Sequence, residues 1–279
     1  MKTWNLMFDV NRCNNCNNCL LATKDEYVGN NFPGYSAPLP NLGTLWLTVH
    51  RKERGTAPMI DVAHFVETCH QCKYPTCVNE KSKEAVYQRD DGIVIIDPVM
   101  AKGREDIVQM CPYGQIFWNE ELQIPQKWTF DAHLLDNGWR EPRCSQVCPT
   151  GALTAVHATD EEMASKAAEE NLEVLRPELG NGPRVFYKNM HRINSCFIGG
   201  SLFGVRDGEE KCLEGLTVTL TNQDGPVAST TTDVFGDFRI DSLAPDSGAY
   251  TITIETDLGT SVSKQVMLTD SAFIGAMEI

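Results

Sequence analysis

Nine of the eleven cysteines fall at spacings that bend a chain round metal. Cys13, Cys16 and Cys19 form a C-x2-C-x2-C triplet, and Cys69, Cys72 and Cys77 a C-x2-C-x4-C triplet. Such loops turn several sulfurs to one side, the opening of a bacterial-type iron–sulfur motif. Cys111 and Cys148 each precede a proline, which removes a backbone donor and sets how the chain leaves a cluster. Zinc is the rival occupant, but zinc sites usually draw on two separated C-x2-C or Cys/His pairs. Two triplets with two Cys-Pro pairs fit iron–sulfur ligation better. His70, inside the second triplet, is expected to be a loop residue near a cluster rather than a ligand. Cys196 and Cys212 stand outside any motif and are expected to be packed thiols.

Elements must hold these loops in place. Residues 4–10 read as a strand that delivers the first triplet, and residues 20–22 as a turn of helix behind it. Residues 44–50 alternate like a strand within a stretch that otherwise reads as loop to about residue 60. Residues 92–98 read as a strand before Cys111. Thr159, followed by three acidic residues, opens a helix ending near Glu170. Residues 183–188 are extended. From about residue 196 the period becomes two, with strands expected at 216–220, 238–240, 250–254 and 266–268. Several short strands at hairpin spacing make a small β-sandwich.

The chain has 279 residues, enough for two cores, and a formal charge of −14. That charge argues against nucleic acid and anionic membrane surfaces, whose phosphates need clustered Lys and Arg. No apolar run is long enough to span a bilayer, and the first residues do not read as a signal peptide. Clustered thiols in such a chain point to metal rather than disulfides and to the cytoplasm.

Where a fourth ligand would follow each triplet stand Thr23 and Lys81. In two-cluster ferredoxins the fourth cysteine of one motif serves the other cluster. Residues 4–190 resemble the four-motif, ferredoxin-like iron–sulfur subunits of molybdenum and tungsten oxidoreductases of the dimethyl-sulfoxide-reductase class. The two triplets, Cys111-Pro112-Tyr113-Gly114 and Cys148-Pro149-Thr150-Gly151-Ala152 carry the resemblance. It implies that the first and last motifs exchange ligands, as do the middle two. Cys13, Cys16 and Cys19 would then be completed by Cys148, and Cys69, Cys72 and Cys77 by Cys111. The remaining sites would need positions that read Thr23, Trp128, Asp131 and Cys144, and Lys81, Ala101, Arg104 and Ile107. Losses by whole sets leave two [4Fe-4S] clusters. Asp131 and Cys144 are not expected to hold a residual metal, because Trp128 takes the volume a cluster would need.

A β-sandwich behind such a module narrows the resemblance to the small subunits of pyrogallol–phloroglucinol transhydroxylases, carried further by residues 91–98, 132–136 and 183–189. It implies a large molybdopterin catalytic subunit with a molybdenum bis-pterin guanine dinucleotide, acting on polyhydroxylated benzenes, and no catalytic residue in this chain. Heterodimers, or a higher oligomer of them, are implied. Those small subunits retain the cluster whose positions here read Thr23, Trp128 and Asp131, between the other two. Its loss would interrupt an electron wire, which hydroxyl transfer between rings, with no net export of electrons, tolerates. Two alternatives stand: an electron-transfer subunit of a resorcinol hydroxylase or catechol dehydroxylase, and a docking subunit with structural clusters. The expected fold is α+β: a ferredoxin-like iron–sulfur domain with loop insertions over 1–195, then an Ig-like β-sandwich of carboxypeptidase-regulatory or Cna-B-like type over 196–279.

Overall fold

A computed structural model describes residues 1–206, 208–256 and 261–279. The chain divides into two compact units, Met1–His50 with His64–Asn189, and Arg51–Ala63 with Met190–Ile279.

The first unit is organised round β1 (Thr3–Asp9), whose alternating side chains bury Leu6 and Phe8. α1 (Asn18–Tyr27) follows the first thiol loop and is longer than the single turn expected there. β2 (Leu47–Thr56) and β3 (Met59–Thr68) pair as a two-stranded ribbon. The strand expected over 44–50 is thus β2, shifted and extended to residue 56 where loop was expected, while residues 28–46 form no named helix or strand, as expected. The charged run Arg51-Lys52-Glu53-Arg54 hides the alternation, although Arg54 itself is buried. The short pairs β4 (Val86–Gln88) with β5 (Val94–Ile96), and β6 (Phe117–Asn119) with β7 (Ile124–Gln126), flank a 3₁₀ turn at Glu105–Met110. The strand expected over 92–98 is thus only three residues, all buried.

α2 (Ala132–Asp136) and α3 (Arg143–Gln146) lead to β8 (Leu153–Ala158). α4 (Asp160–Glu170) starts as expected: Thr159 Oγ1 accepts from Glu162 N at 3.2 Å, and Glu162 Oε2 accepts from Thr159 N at 2.8 Å. This reciprocal cap satisfies two otherwise orphaned donors. β9 (Val185–Lys188) completes the sheet β8-β1-β9, with β8 antiparallel and β9 parallel to β1.

In the second unit α5 (His191–Asn194) precedes β10 (Cys196–Arg206) and β11 (Glu209–Cys212). Then come β12 (Thr217–Asn222), β13 (Gly225–Thr231), β14 (Asp237–Leu243), β15 (Gly248–Glu255), β16 (Ser261–Leu268) and β17 (Ala272–Glu278). One sheet runs β13-β12-β15-β16; in the other β10 pairs with β11, β14 and β17. Val218, Leu220, Ile240, Ile252, Ile254 and Leu268 fill the sandwich. The four strands expected correspond to β12, which starts one residue later, and to β14, β15 and β16; β10 is an addition, its glycines breaking the period-two pattern. At Gly199 a Cβ would stand 2.2 Å from Met59 Sδ, so the strand needs the missing side chain. Cys196 is buried as expected; Cys212 is exposed, a correction that follows from its place at the end of the exposed strand β11.

Arg54 anchors this unit. Its guanidinium donates to Asp61 Oδ2 at 2.7 Å, to Asp241 Oδ1 at 2.9 Å and to the carbonyls of His191 and Ser195 at 3.0 and 2.9 Å.

Candidate metal centres

Cys69, Cys72, Cys77 and Cys111 line one pocket, with His70, Tyr113, Ile116 and Lys127 among its other walls. Gln71 turns the loop at φ 46°, and Gly114 at φ 68° turns the chain after Cys111-Pro112. That turn aims Gln115 N at Cys111 Sγ, 3.4 Å away. Burial, and then the charges of Cys69, Cys77 and Cys111, push the Cys72 thiol up to about 12. Burial pushes Cys77 up to about 12 as well, against the opposing pull of Lys127.

Cys13, Cys16, Cys19 and Cys148 also lie within electrostatic reach of one another. Burial first, then Cys148, Cys13 and Cys16, push Cys19 up to about 11, with the Leu20 N–H pulling the other way. Their loop turns through Asn15 and Asn17 at φ 59° and 60°, a left-handed conformation that asparagine tolerates. Gly151, at φ 63°, repeats the turn of Gly114, and Leu153 N points at Cys148 Sγ at 3.4 Å. Burial raises Cys148, but the N–H of Leu153 and the Thr150 hydroxyl outweigh it and leave this thiol lowered.

Both sets fit the soft, polynuclear group their spacing implies. Among the described residues no three His, Cys, Asp or Glu side chains converge on a single ion. Sulfurs spread round a cavity suit a cluster rather than a tetrahedral zinc ion with bonds of about 2.3 Å. Both His70 ring nitrogens and the Tyr113 hydroxyl are buried without a hydrogen-bond partner among the described residues. A sulfide-bearing occupant would offer acceptors to the one N–H of a neutral His70 and to the Tyr113 hydroxyl. Burial, and then Arg176, lower His70 to about 4, so it is a neutral wall of the cavity. Ligation takes the thiolate form, so loading raised thiols releases protons.

The other two sets of positions are closed by protein. Asp131 is wholly buried, and its Oδ1 accepts from the Tyr27 hydroxyl and Trp128 Nε1 at 2.8 and 2.9 Å. Its Oδ2 accepts from Arg143 N at 2.8 Å. Thr23 turns its hydroxyl back onto Cys19 O at 2.9 Å, and burial pushes the sealed Cys144 well above the ordinary thiol value. At the second set, Ala101 and Ile107 are buried in a core with Ala85, Val86, Val94 and Ile116. Arg104 donates to Lys81 O at 2.8 Å, so these two positions still meet. Lys127 escaped the sequence reading; a single charge in the apolar run from Ile124 to Phe130 was the available signal.

Residues 60–158 match the 4Fe-4S dicluster domain family, and residues 204–273 the carboxypeptidase regulatory-like domain family. The first triplet lies outside the former range. The chain is 41% identical to the pyrogallol hydroxytransferase small subunit of Pelobacter acidigallici over 275 residues, covering 98% of this chain and 97% of that one. It is 36% identical to a subunit of the tetrathionate reductase of Salmonella typhimurium, covering 43% of this chain and 49% of that one. It is 30% identical to a subunit of the sulfite dehydrogenase of Allochromatium vinosum, covering 65% of this chain and 81% of that one. The chain belongs to the family of pyrogallol hydroxytransferase small subunits, iron–sulfur subunits with a 4Fe-4S dicluster domain followed by a carboxypeptidase regulatory-like β-sandwich.

Proposed function

We propose that this chain is the non-catalytic iron–sulfur subunit of a heteromeric molybdenum enzyme that transfers hydroxyl groups between polyhydroxylated benzenes. The end-to-end likeness to the hydroxytransferase small subunit, including the β-sandwich, carries this reading. One [4Fe-4S] cluster is held by Cys13, Cys16, Cys19 and Cys148, the other by Cys69, Cys72, Cys77 and Cys111. The shared cavity of the second set and the mutual charge effects within the first support these ligands. Residues 1–195 hold the cluster domain and residues 196–279 the sandwich, with residues 51–63 and 190–195 joined to the compact unit of the sandwich. A large partner carries the molybdenum bis-pterin guanine dinucleotide and binds the aromatic ring, in a heterodimer or an assembly of heterodimers. Such a cluster, when bound, stores or passes one electron at a time. This chain's residues bury Cys19, cover most of the other sulfurs in part and aim N–H donors at Cys111 and Cys148. Eleven free thiols fit the reducing cytoplasm, and no helix among the described residues is long and apolar enough to cross a membrane.

The test is turnover of pyrogallol by the purified complex with a tetrahydroxybenzene co-substrate and no added redox dye. Strict dependence on an external donor or acceptor would sink this reading. It would favour the electron-transfer alternative, of resorcinol hydroxylase or catechol dehydroxylase type, to which the likeness to two redox-enzyme subunits lends support.

A further inference from the structure

Lys127 is only 2% exposed. Its ammonium donates to Val94 O, to Trp128 O at 3.1 Å and to Gln71 Oε1 at 3.5 Å. Three neutral oxygens for three donors suit the charged form. Among the described residues no carboxylate lies within ion-pair distance of it. A buried charge without a counter-ion is costly, and native proteins pair such charges. The counter-charge must come from the cavity that Lys127 lines with Cys69, Cys72, Cys77 and Cys111. A [4Fe-4S] core bearing four thiolates supplies it, as a dianion when oxidised and a trianion once reduced.

We propose that Lys127 is the fixed counter-cation of the cluster on Cys69, Cys72, Cys77 and Cys111, and that it holds this cluster at a higher reduction potential than the cluster on Cys13, Cys16, Cys19 and Cys148. The proposal rests on the ligand sets given above. One electron enters the core and no bond or proton moves, so the added negative charge falls wholly on the electrostatics of the site. An ammonium held by carbonyl dipoles in low dielectric stabilises the reduced form more than the oxidised one. Arg12, which reaches Gly151 beside Cys148, is exposed, and water screens its charge. The two clusters therefore differ in kind: an electron entering this chain comes to rest beside Lys127.

The experiment is an EPR-monitored redox titration of the anaerobically purified holoenzyme, with dithionite as the one-electron donor. Lys127→Gln should move one of two midpoints to lower potential and leave the other in place, while Lys127→Arg keeps both near their original values. Unchanged midpoints in iron-replete Lys127→Gln, or an equal fall in Lys127→Arg, would overturn the proposal. Should Lys127→Gln load only half the iron while Lys127→Arg loads all of it, charge compensation is required for assembly and the proposal stands. Half-loading of both variants would make Lys127 a packing residue and end it. Failure of the ligand sets is read separately, as full iron in Cys111→Ala.

Discussion

The indole N–H of Trp128 donates to Asp131 Oδ1 at 2.9 Å, so two residues at positions where the resemblance would place ligands of a further cluster are bound to each other inside a core. With Tyr27 and Arg143 also donating to that carboxylate, it offers no convenient lone pair to a metal. Trp128→Ala should cost about 3–5 kcal/mol, since it removes a fully buried aromatic and leaves the carboxylate one donor short. Thermal or denaturant unfolding of the holo-protein measures this.

Restoring thiols at these positions is the stronger test of the site's ancestry. The combined Thr23→Cys, Trp128→Cys and Asp131→Cys variant, with Cys144 already in place, should raise iron from about eight to about twelve per chain. Retention of about eight in a folded variant would mean that the loop no longer has the shape of a ligand set.

Single thiol deletions should sort by position. Cys111→Ala should lower iron from about eight to about four per chain, while Cys144→Ala should leave it unchanged. Iron analysis with EPR of the reduced protein reads both. Loss of iron in Cys144→Ala would assign that sealed thiol a ligand role.

The sandwich unit should be acid-sensitive through Asp61 and Asp241. Burial raises both carboxyls, but Arg192 and Arg54 at Asp61, and Arg54 at Asp241, outweigh it and leave both below the ordinary carboxylate value. A folded-state value below the unfolded one stabilises the fold above about pH 3.9, and that contribution drains away as pH falls further. Arg54→Met takes one cation from each carboxylate, although Arg192 and Arg239 remain, and leaves the carbonyls of His191 and Ser195 without this donor; it should cost about 1–3 kcal/mol near neutrality. The variant should also lose part of this acid sensitivity, chiefly the share that Arg54 gives Asp241, which melting curves between pH 7 and about pH 3 would reveal.

Thr159→Ala should destabilise by about 1 kcal/mol, because it removes the hydroxyl that accepts from Glu162 N, while the backbone donor to Glu162 Oε2 stays. A double-mutant cycle with Glu162→Ala should show the two effects to be less than additive.

What was legible in the sequence was whatever is local. Cysteine spacing, the Thr159 cap and the period-two runs from Leu216 to Leu268 each reflect physics acting within a few residues, and each has its counterpart in the fold. The ribbon of β2 and β3 was hidden because Arg54 is read as a surface charge until Asp61 and Asp241 are seen round it. Strand β10 was hidden because its glycines answer to close approach by Met59 and Phe238, which no local rule anticipates. Trp128 was legible as an obstacle to metal; its bond to Asp131, three residues on, was not, since it goes with the left-handed turn at Phe130 and Asp131, nor was Lys127, whose partners Val94 and Gln71 meet it across the unit.

The apolar plug of Ala101 and Ile107 and the hydrogen-bonded hub at Asp131 have a bearing on how the protein is made. A chain with four empty ligand sets would present sixteen reactive groups to whatever delivers iron, and could close its loops only as deliveries arrived. Here half of those appointments have been cancelled. Two regions, at Asp131 and at Ala101 with Ile107, are held by protein atoms alone and owe none of these contacts to iron.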